Sequence, residues 1–430
     1  MTTVFETDKS SFMPEMNSQP TASQSTVQWI FVDLNSYFAA VEQELNPKYR
    51  GKPLAVLPTM AETTSVIAAS IEAKKFGVKT NVRVSDARRM CPGIIFVEAN
   101  HRHYVDYHNR IVEAVESCHP VHAVMSIDEV ALKLGGRDQK LENALKLAEE
   151  IRAKIFSVGS QLKCSIGLST NKLLSKVASD MQKPNGLTVI LKEDIPKKLL
   201  SLKLRDFPGI GGGMEERLNL KGIRTVQDMF NQDEKSMKNI WGGIVGQRYY
   251  HWIRGEDLGD AKTENTKSLN RSHVLSPELR TQASAFGIAQ KLLHKAGLAM
   301  RRDNYWARAM YVSIRYTDRT KWSEETRMDD CQDVHGLNHI LQDMWSRRKQ
   351  RGTPLKVSIT LSNLITNEER TLSFFENTNR TKLSHAMDAL NLKYGKNLIY
   401  LAGMHETKKG APTRIAFSNI PDFSIDEEKD

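Results

Sequence analysis

Asp128 and Glu129 stand side by side between two apolar runs, 121–127 and 130–134, that are rich in Val, Ile, Leu and Met. No other feature restricts the folding of this chain as much. A strand cannot bury two charges without a partner, and the flanks offer no Lys or Arg before Lys133. Either the runs form a hairpin whose exposed turn carries the acids, or a divalent cation supplies the missing charge. The spacing allows both. A third acid, Asp33, follows another apolar run, 29–32. Three acids from adjacent strands could hold two magnesium ions about 3.5–4 Å apart, the spacing used for in-line phosphoryl displacement.

The 430 residues exceed one compact core, and about two to four domains are expected. Residues 1–27 are rich in Ser, Thr, Gln and Asn and are expected to form a disordered tail. The run at 29–32 reads as a buried strand, followed by a helix that Asn35 or Ser36 could cap and Asn46-Pro47 stops. Tyr104, Tyr107, Ile111 and Val115 mark a helix over 101–118; Leu141, Ala144, Ala148, Ile151 and Ile155 mark another; 162–168 reads as a strand. With an inserted segment at about 40–95 removed, 28–191 follows the split βαβ, ferredoxin-like order. Residues 192–256 are helical with glycine punctuation, 257–267 form a polar linker, and 268–410 form a separate α+β unit before a polar tail at 411–430. In that unit 309–316 and 355–361 read as strands and 283–301 and 336–351 as helices.

Lys and Arg outnumber Asp and Glu by 61 to 51, which excludes an acidic, solvating chain and favours a polyanionic partner. Between Lys262 and Lys356 there are 18 basic and 10 acidic residues, so most of the excess sits there, as a nucleic-acid surface or simply a solvated face. Pro208-Gly209-Ile210-Gly211 precedes a helical run and is either a tight interhelical turn or a nest of backbone N–H groups for a phosphodiester. The four cysteines form no C-x-x-C pair and read as reduced thiols. No run approaches the roughly 18 apolar residues of a membrane helix, and no secretory signal is expected.

Several motifs together resemble the Y-family (translesion) DNA polymerases, bacterial members above all. They are Phe31-Val32-Asp33-Leu34-Asn35-Ser36-Tyr37-Phe38, Glu72-Ala73-Lys74-Lys75-Phe76-Gly77-Val78, Ser126-Ile127-Asp128-Glu129, Gly167-Leu168-Ser169-Thr170-Asn171-Lys172, Ser179-Asp180-Met181-Gln182-Lys183-Pro184-Asn185-Gly186 and Phe207-Pro208-Gly209-Ile210-Gly211. They occur in the family's order over about 28–410. The resemblance implies an α+β right hand: a ferredoxin-like palm, small fingers at 40–95, a helix-hairpin-helix thumb and an α+β little finger. It implies template-directed deoxynucleotide transfer without proofreading.

The resemblance also implies residue roles. Asp33 and Asp128 would ligate two magnesium ions (manganese being an alternative), Glu129 the ion at the primer hydroxyl, and the Leu34 carbonyl the nucleotide-bound ion. Backbone N–H groups of Tyr37 and Phe38, with Lys183 and Lys74, would meet the triphosphate, and the Phe38 ring would be the steric gate against ribose. Gly209, Ile210 and Gly211 would meet DNA. Implied partners are primer-template DNA and deoxynucleoside triphosphates, with a sliding clamp or other damage-response proteins as candidates. A monomer in the bacterial cytoplasm, associated with the nucleoid, is expected. The chain departs from the family pattern at Ala68, Ile71 and Lys74, where Thr, Tyr and Arg are common, and at Val130, Ala131 and Lys133. Ile71 offers no donor, and Lys cannot fork onto a phosphate as Arg does. A non-catalytic palm-shaped adaptor would lack the acids; a nucleotidyl cyclase or a simple DNA-binding module would not need acids, hairpin and basic domain together.

Overall fold

The computed structural model of the chain describes residues 26–62, 64–260, 266–349, 352–370, 378–395, 398–415 and 420–421. Nearly all of the amino-terminal tail, the middle of the 257–267 linker and most of the carboxyl-terminal tail therefore lie outside the described residues. The chain divides into two units, Met1–Gly259 and Asp260–Asp430.

The strands of the first unit are β1 (Trp29–Leu34), β2 (Leu54–Leu57), β3 (Ala68–Ala69), β4 (Ile95–Glu98), β5 (Ala123–Ser126), β6 (Glu129–Lys133), β7 (Cys164–Ser169) and β8 (Leu187–Ile190). The main sheet has the order β5-β6-β1-β7-β8. β1 is central and antiparallel to both neighbours, while β7 and β8 run parallel. Every residue of β1 is buried, which is why its sequence is an apolar run, broken only by Asp33, rather than an alternation.

Six helices belong to this part: α1 (Tyr37–Leu45), α2 (Ile71–Lys75), α3 (Val84–Met90), α4 (His101–Glu116), α5 (Leu141–Val158) and α6 (Lys172–Met181). α4 and α5 pack on each other, and α5 buries Ala144, Ala148, Ile151 and Ile155, the stripe read from the sequence. α6 lies over β1 and β7. Gly167 permits this close approach, since a Cβ there would overlap the Ser175 carbonyl and the Ser179 nitrogen. The inserted segment forms its own sheet, β3-β2-β4, with α2 and α3. It begins after α1 has run unbroken to Leu45, not inside that helix at residue 40.

The expected cap of α1 is corrected. Ser36 occupies the cap position, but in a left-handed conformation (φ 53°) with no side-chain cap. Asn35 instead ties β1 to its surroundings: its Nδ2 donates to Ser165 Oγ (3.1 Å) and its Oδ1 accepts from the Asn185 N–H (2.7 Å).

The rest of the first unit is helical: α7 (Gly212–Leu220), α8 (Val226–Phe230), α9 (Glu234–Trp241) and α10 (Ile244–Ile253). Phe207, Ile210, Leu218, Met229 and Met237 share one core with Leu174, Val177 and Ile190 of the sheet region. The chain then returns to the sheet. Trp29 Nε1 donates to Asp257 Oδ2 (3.0 Å) and Lys133 pairs with the same carboxylate (3.1 Å). That contact accounts for Lys133, one of the departures noted above.

The second unit has β9 (Ser268–Val274), β10 (Tyr305–Tyr316), β11 (Lys321–Cys331), β12 (Pro354–Ser362) and β13 (Ile365–Thr366), with α11 (Gln282–Arg302), α12 (Val334–Ser346) and α13 (Thr378–Tyr394). Its antiparallel sheet has the order β11-β10-β12-β9, and β13 pairs with β10. Ile288, Leu292, Met310, Val312, Leu341, Val357 and Ile359 form its core. α12 ends at Ser346, short of the boundary read at 351. Arg301 of α11 forks onto Asp388 of α13 (2.6 and 3.0 Å), a buried pair of the kind that costs about 3–5 kcal/mol when one partner is removed.

Candidate active site

The antiparallel pairing of β1 with β6 sets Asp33 directly opposite Glu129. Ile127 and Asp128 form the turn between β5 and β6, so the expected hairpin exists and its turn is half-buried rather than fully exposed. The turn is fixed from three sides. The Leu34 N–H donates to the Asp128 carbonyl (2.9 Å), Ser126 Oγ donates to Asp128 Oδ1 (2.6 Å), and His108 Nδ1 lies 2.8 Å from the Ile127 carbonyl. Three carboxylates thus meet at one end of the sheet, with Asp33 only 4% exposed.

Their counter-charge comes from α6 and the loop behind it, far from them in sequence. Lys176 Nζ bonds to Asp33 and reaches Glu129 Oε1 (2.7 Å) and Asp180 Oδ2 (3.3 Å). Lys183 Nζ lies 2.7 Å from Asp33 Oδ1 and 2.7 Å from Asp180 Oδ1. Burial raises the Asp128 carboxyl above its ordinary pKa, against the Ser126 hydrogen bond. Burial also raises Glu129, against the pull of Lys176. For Lys176 burial works downward, but Asp33, Glu129 and Asp180 together outweigh it and hold the ammonium above its usual value. Lys74 is lowered, first by burial and then by the neighbouring Lys183 charge.

Among the described residues no three His, Cys, Asp or Glu side chains already close on a metal position. The donor set nevertheless suits a hard divalent ion. It is all oxygen, and Asp33 and Glu129 converge on one cation, the Lys176 ammonium. Asp33, Asp128, Glu129 and the Leu34 backbone are the groups that would hold magnesium or manganese.

The acids open into a cavity of about 590 Å³ that is also lined by Leu34, Tyr37, Phe38, Lys74 and Lys183. Ile71 and Ala68 face it too, placing two apolar groups where the family pattern would put hydroxyls. No side chain caps α1, so the first-turn N–H groups of Tyr37 and Phe38 are left to a ligand or water. The Phe38 ring stacks on Tyr104 (centroids 4.2 Å apart, 11° between planes). Tyr104 is held in turn by its hydroxyl, which donates to Glu42 Oε1 (2.6 Å), and by its carbonyl, which accepts from Tyr37 OH (2.6 Å).

Gly209, Ile210 and Gly211 are not part of this cavity. They form the turn before α7, with Gly209 in the positive-φ region (90°), which favours glycine. Gly209 and Gly211 are exposed, but the Ile210 side chain is buried in the helical core, so only its backbone can face a ligand. The sequence reading missed Lys176, Asp180, Ser126 and Tyr104 as parts of the site. The i, i+4, i+7 spacing of Lys176, Asp180 and Lys183 was the one signal pointing to the first two.

Sequence models of the impB/mucB/samB family match residues 32–180 and, for its carboxyl-terminal domain, 266–374; a DNA polymerase-iota thumb-domain model matches 205–257. The chain is 29% identical over 415 residues to DNA polymerase IV 1 of Bacillus subtilis, covering 93% of this chain and 97% of that protein. It is 28% identical over 384 residues to DNA polymerase IV of Pelotomaculum thermopropionicum, covering 87% and 94%. Among solved structures it resembles a Y-family DNA polymerase chimera built on Dbh (TM-score 0.67, 26% identity, 79% of this chain and 99% of that one). It also resembles DinB from Sulfolobus solfataricus (TM-score 0.52, 26% identity, the same coverage).

Proposed function

Since this chain belongs to the impB/mucB/samB family of Y-family DNA polymerases, we propose that it is a translesion enzyme that extends a primer by two-metal phosphoryl transfer without proofreading. It is a DNA-directed DNA polymerase. The observation that carries the finer reading is the convergence of Asp33, Asp128, Glu129, Tyr37, Phe38, Lys74 and Lys183 on one cavity.

In this reading Asp33, Asp128 and Glu129, with the Leu34 carbonyl, would hold the ions, Glu129 serving the one nearest the primer 3′-hydroxyl. Magnesium held there would supply a lowered pKa for the attacking hydroxyl and a counter-charge for the phosphates. The chain's own groups do the positioning. The open N-terminus of α1 receives the triphosphate, with Lys183 and Lys74 lining the same cavity. Lys74, lowered by burial, gains a counter-charge when the phosphates arrive. The Phe38 ring occupies the space a ribose 2′-hydroxyl would need. Gly209 and Gly211 offer backbone N–H groups to a DNA phosphate, and the basic second unit grips the duplex.

The remaining assignments follow from the same reading: action as a monomer in the bacterial cytoplasm at the nucleoid, with a sliding clamp or another damage-response protein as a further partner. Among the described residues no helix is long and apolar enough to cross a membrane.

Asp33→Ala, and Asp128→Ala combined with Glu129→Ala, test the metal site. Primer extension should fall by roughly three orders of magnitude, the scale of losing preorganised charge stabilisation. Binding of primer-template DNA, measured on the same preparations, should survive. Extension near the wild-type rate would reject the assignment.

A further inference from the structure

Lys176 reaches three carboxylates at once, Asp33, Glu129 and Asp180. A lysine that served only to lock α6 onto the sheet would need one. Its ammonium lies over Phe31, with Nζ 5.2 Å from the ring centroid, and within reach of acids on both β1 and β6. The position is the one a divalent ion would need, because Asp33 and Glu129 are strand partners whose oxygens face it. An ammonium seated on those oxygens occupies lone pairs a divalent ion would use and repels the incoming charge. Asp180 offers the alternative: its Oδ1 pairs with Lys183 (2.7 Å), and its Oδ2 already lies 3.3 Å from Lys176. It lies one turn further along α6, and its side chain is 36% exposed against 6% for Asp33. A small rotation of the lysine stem would exchange one acid for the other without moving the helix.

We propose that Lys176 is a resident counter-cation of the metal site: it neutralises Asp33 and Glu129 while no divalent ion is bound, and withdraws to Asp180 when one enters. This rests on the reading of the acids as metal ligands. Lys176 is thus a positioning residue that sets the affinity of the site for its ions, and Asp180 is the acceptor that makes its withdrawal possible.

The two residues should act in opposite directions. Lys176→Met keeps the stem and removes the charge, so divalent ions should bind about tenfold tighter or more. Asp180→Asn removes the acceptor, so they should bind more weakly than to wild type. Lys176→Arg keeps a cation and should stay near wild type. The measurement is manganese binding to the full chain, without DNA or nucleotide, read by electron paramagnetic resonance. Thermal unfolding in chelator and in manganese accompanies it. Lys176→Met should unfold at lower temperature than wild type in chelator and gain more from manganese. A merely structural role would lower stability in both variants without opposite shifts in affinity. Unchanged or weaker manganese binding by Lys176→Met, with wild-type binding intact and lost in Asp33→Asn, would overturn the counter-cation proposal alone. Failure of wild type to bind manganese, or binding indifferent to Asp33→Asn, would overturn the metal-site reading and this proposal with it.

Discussion

Phe38 lies flat on Tyr104, and Tyr104 is anchored through both its hydroxyl and its carbonyl. A gate ring works only if it cannot yield, so the platform matters as much as the ring. Phe38→Ala should lower the selectivity for deoxynucleotides by more than the roughly tenfold a lost hydrogen bond could explain. Tyr104→Leu, which leaves the gate in place but removes its backing, should lower it less. Single-nucleotide insertion with each triphosphate checks both, and unchanged selectivity in Phe38→Ala would place the gate elsewhere. That Phe38 and the acids belong together was legible in the sequence because their motifs are contiguous, and they line one cavity. Lys176 and Tyr104 were not, because each reaches the site from another helix. Along the chain the first cation after Asp128-Glu129 is Lys133, whereas the partner of Glu129 is Lys176, reached through space. Lys133 turned out to serve Asp257 instead.

The helix that brings Lys176 and Asp180 to the acids depends on one missing methyl group. Gly167→Ala would push α6 away from β7, since the added carbon would meet helix backbone rather than a side chain that could move aside. Overpacking of this kind costs about 1–3 kcal/mol. A lower denaturant midpoint is expected, with a drop in extension larger than the stability loss explains. Wild-type activity in a destabilised Gly167→Ala protein would mean that the placement of α6 does not govern the site. Elements with one apolar face on a large core, such as α5 and α11, were legible from periodicity. β11 was not. Its sequence, Lys-Trp-Ser-Glu-Glu-Thr-Arg-Met-Asp-Asp-Cys, is dominated by charges because it is an edge strand, where charged side chains block further pairing. The sheet it completes could not be inferred from apolar runs alone.

The excess positive charge lies mainly in the second unit, so that unit should supply most of the salt dependence of DNA binding. Each phosphate contact contributes a slope of about −0.9 in log K against log salt on duplex DNA. Deleting the chain after Thr266 should weaken binding and flatten that slope; a truncated protein with the full slope would show that the basic unit does not touch the backbone. The same unit should make the molecule acid-sensitive. His294 on α11 is buried, and burial, helped by the Arg301 charge, pushes its pKa down to about 4 from an ordinary 6.5. The unfolded chain takes up that proton first, so stability falls as pH drops from about 6.5 toward 4, by about 2 kcal/mol at pH 5. Thermal unfolding at pH 7 and pH 5 should show the loss, and His294→Gln should reduce it; an equal loss in that variant would assign it to other groups. Near the end of the first unit, Asp257 is held by Trp29 at the start of β1. Asp33 is near the other end of that strand. Residues 257 and 33 are thus joined through one short strand, so loosening Trp29 at one end of β1 would release the chain at Asp257 and the strand that carries Asp33 together.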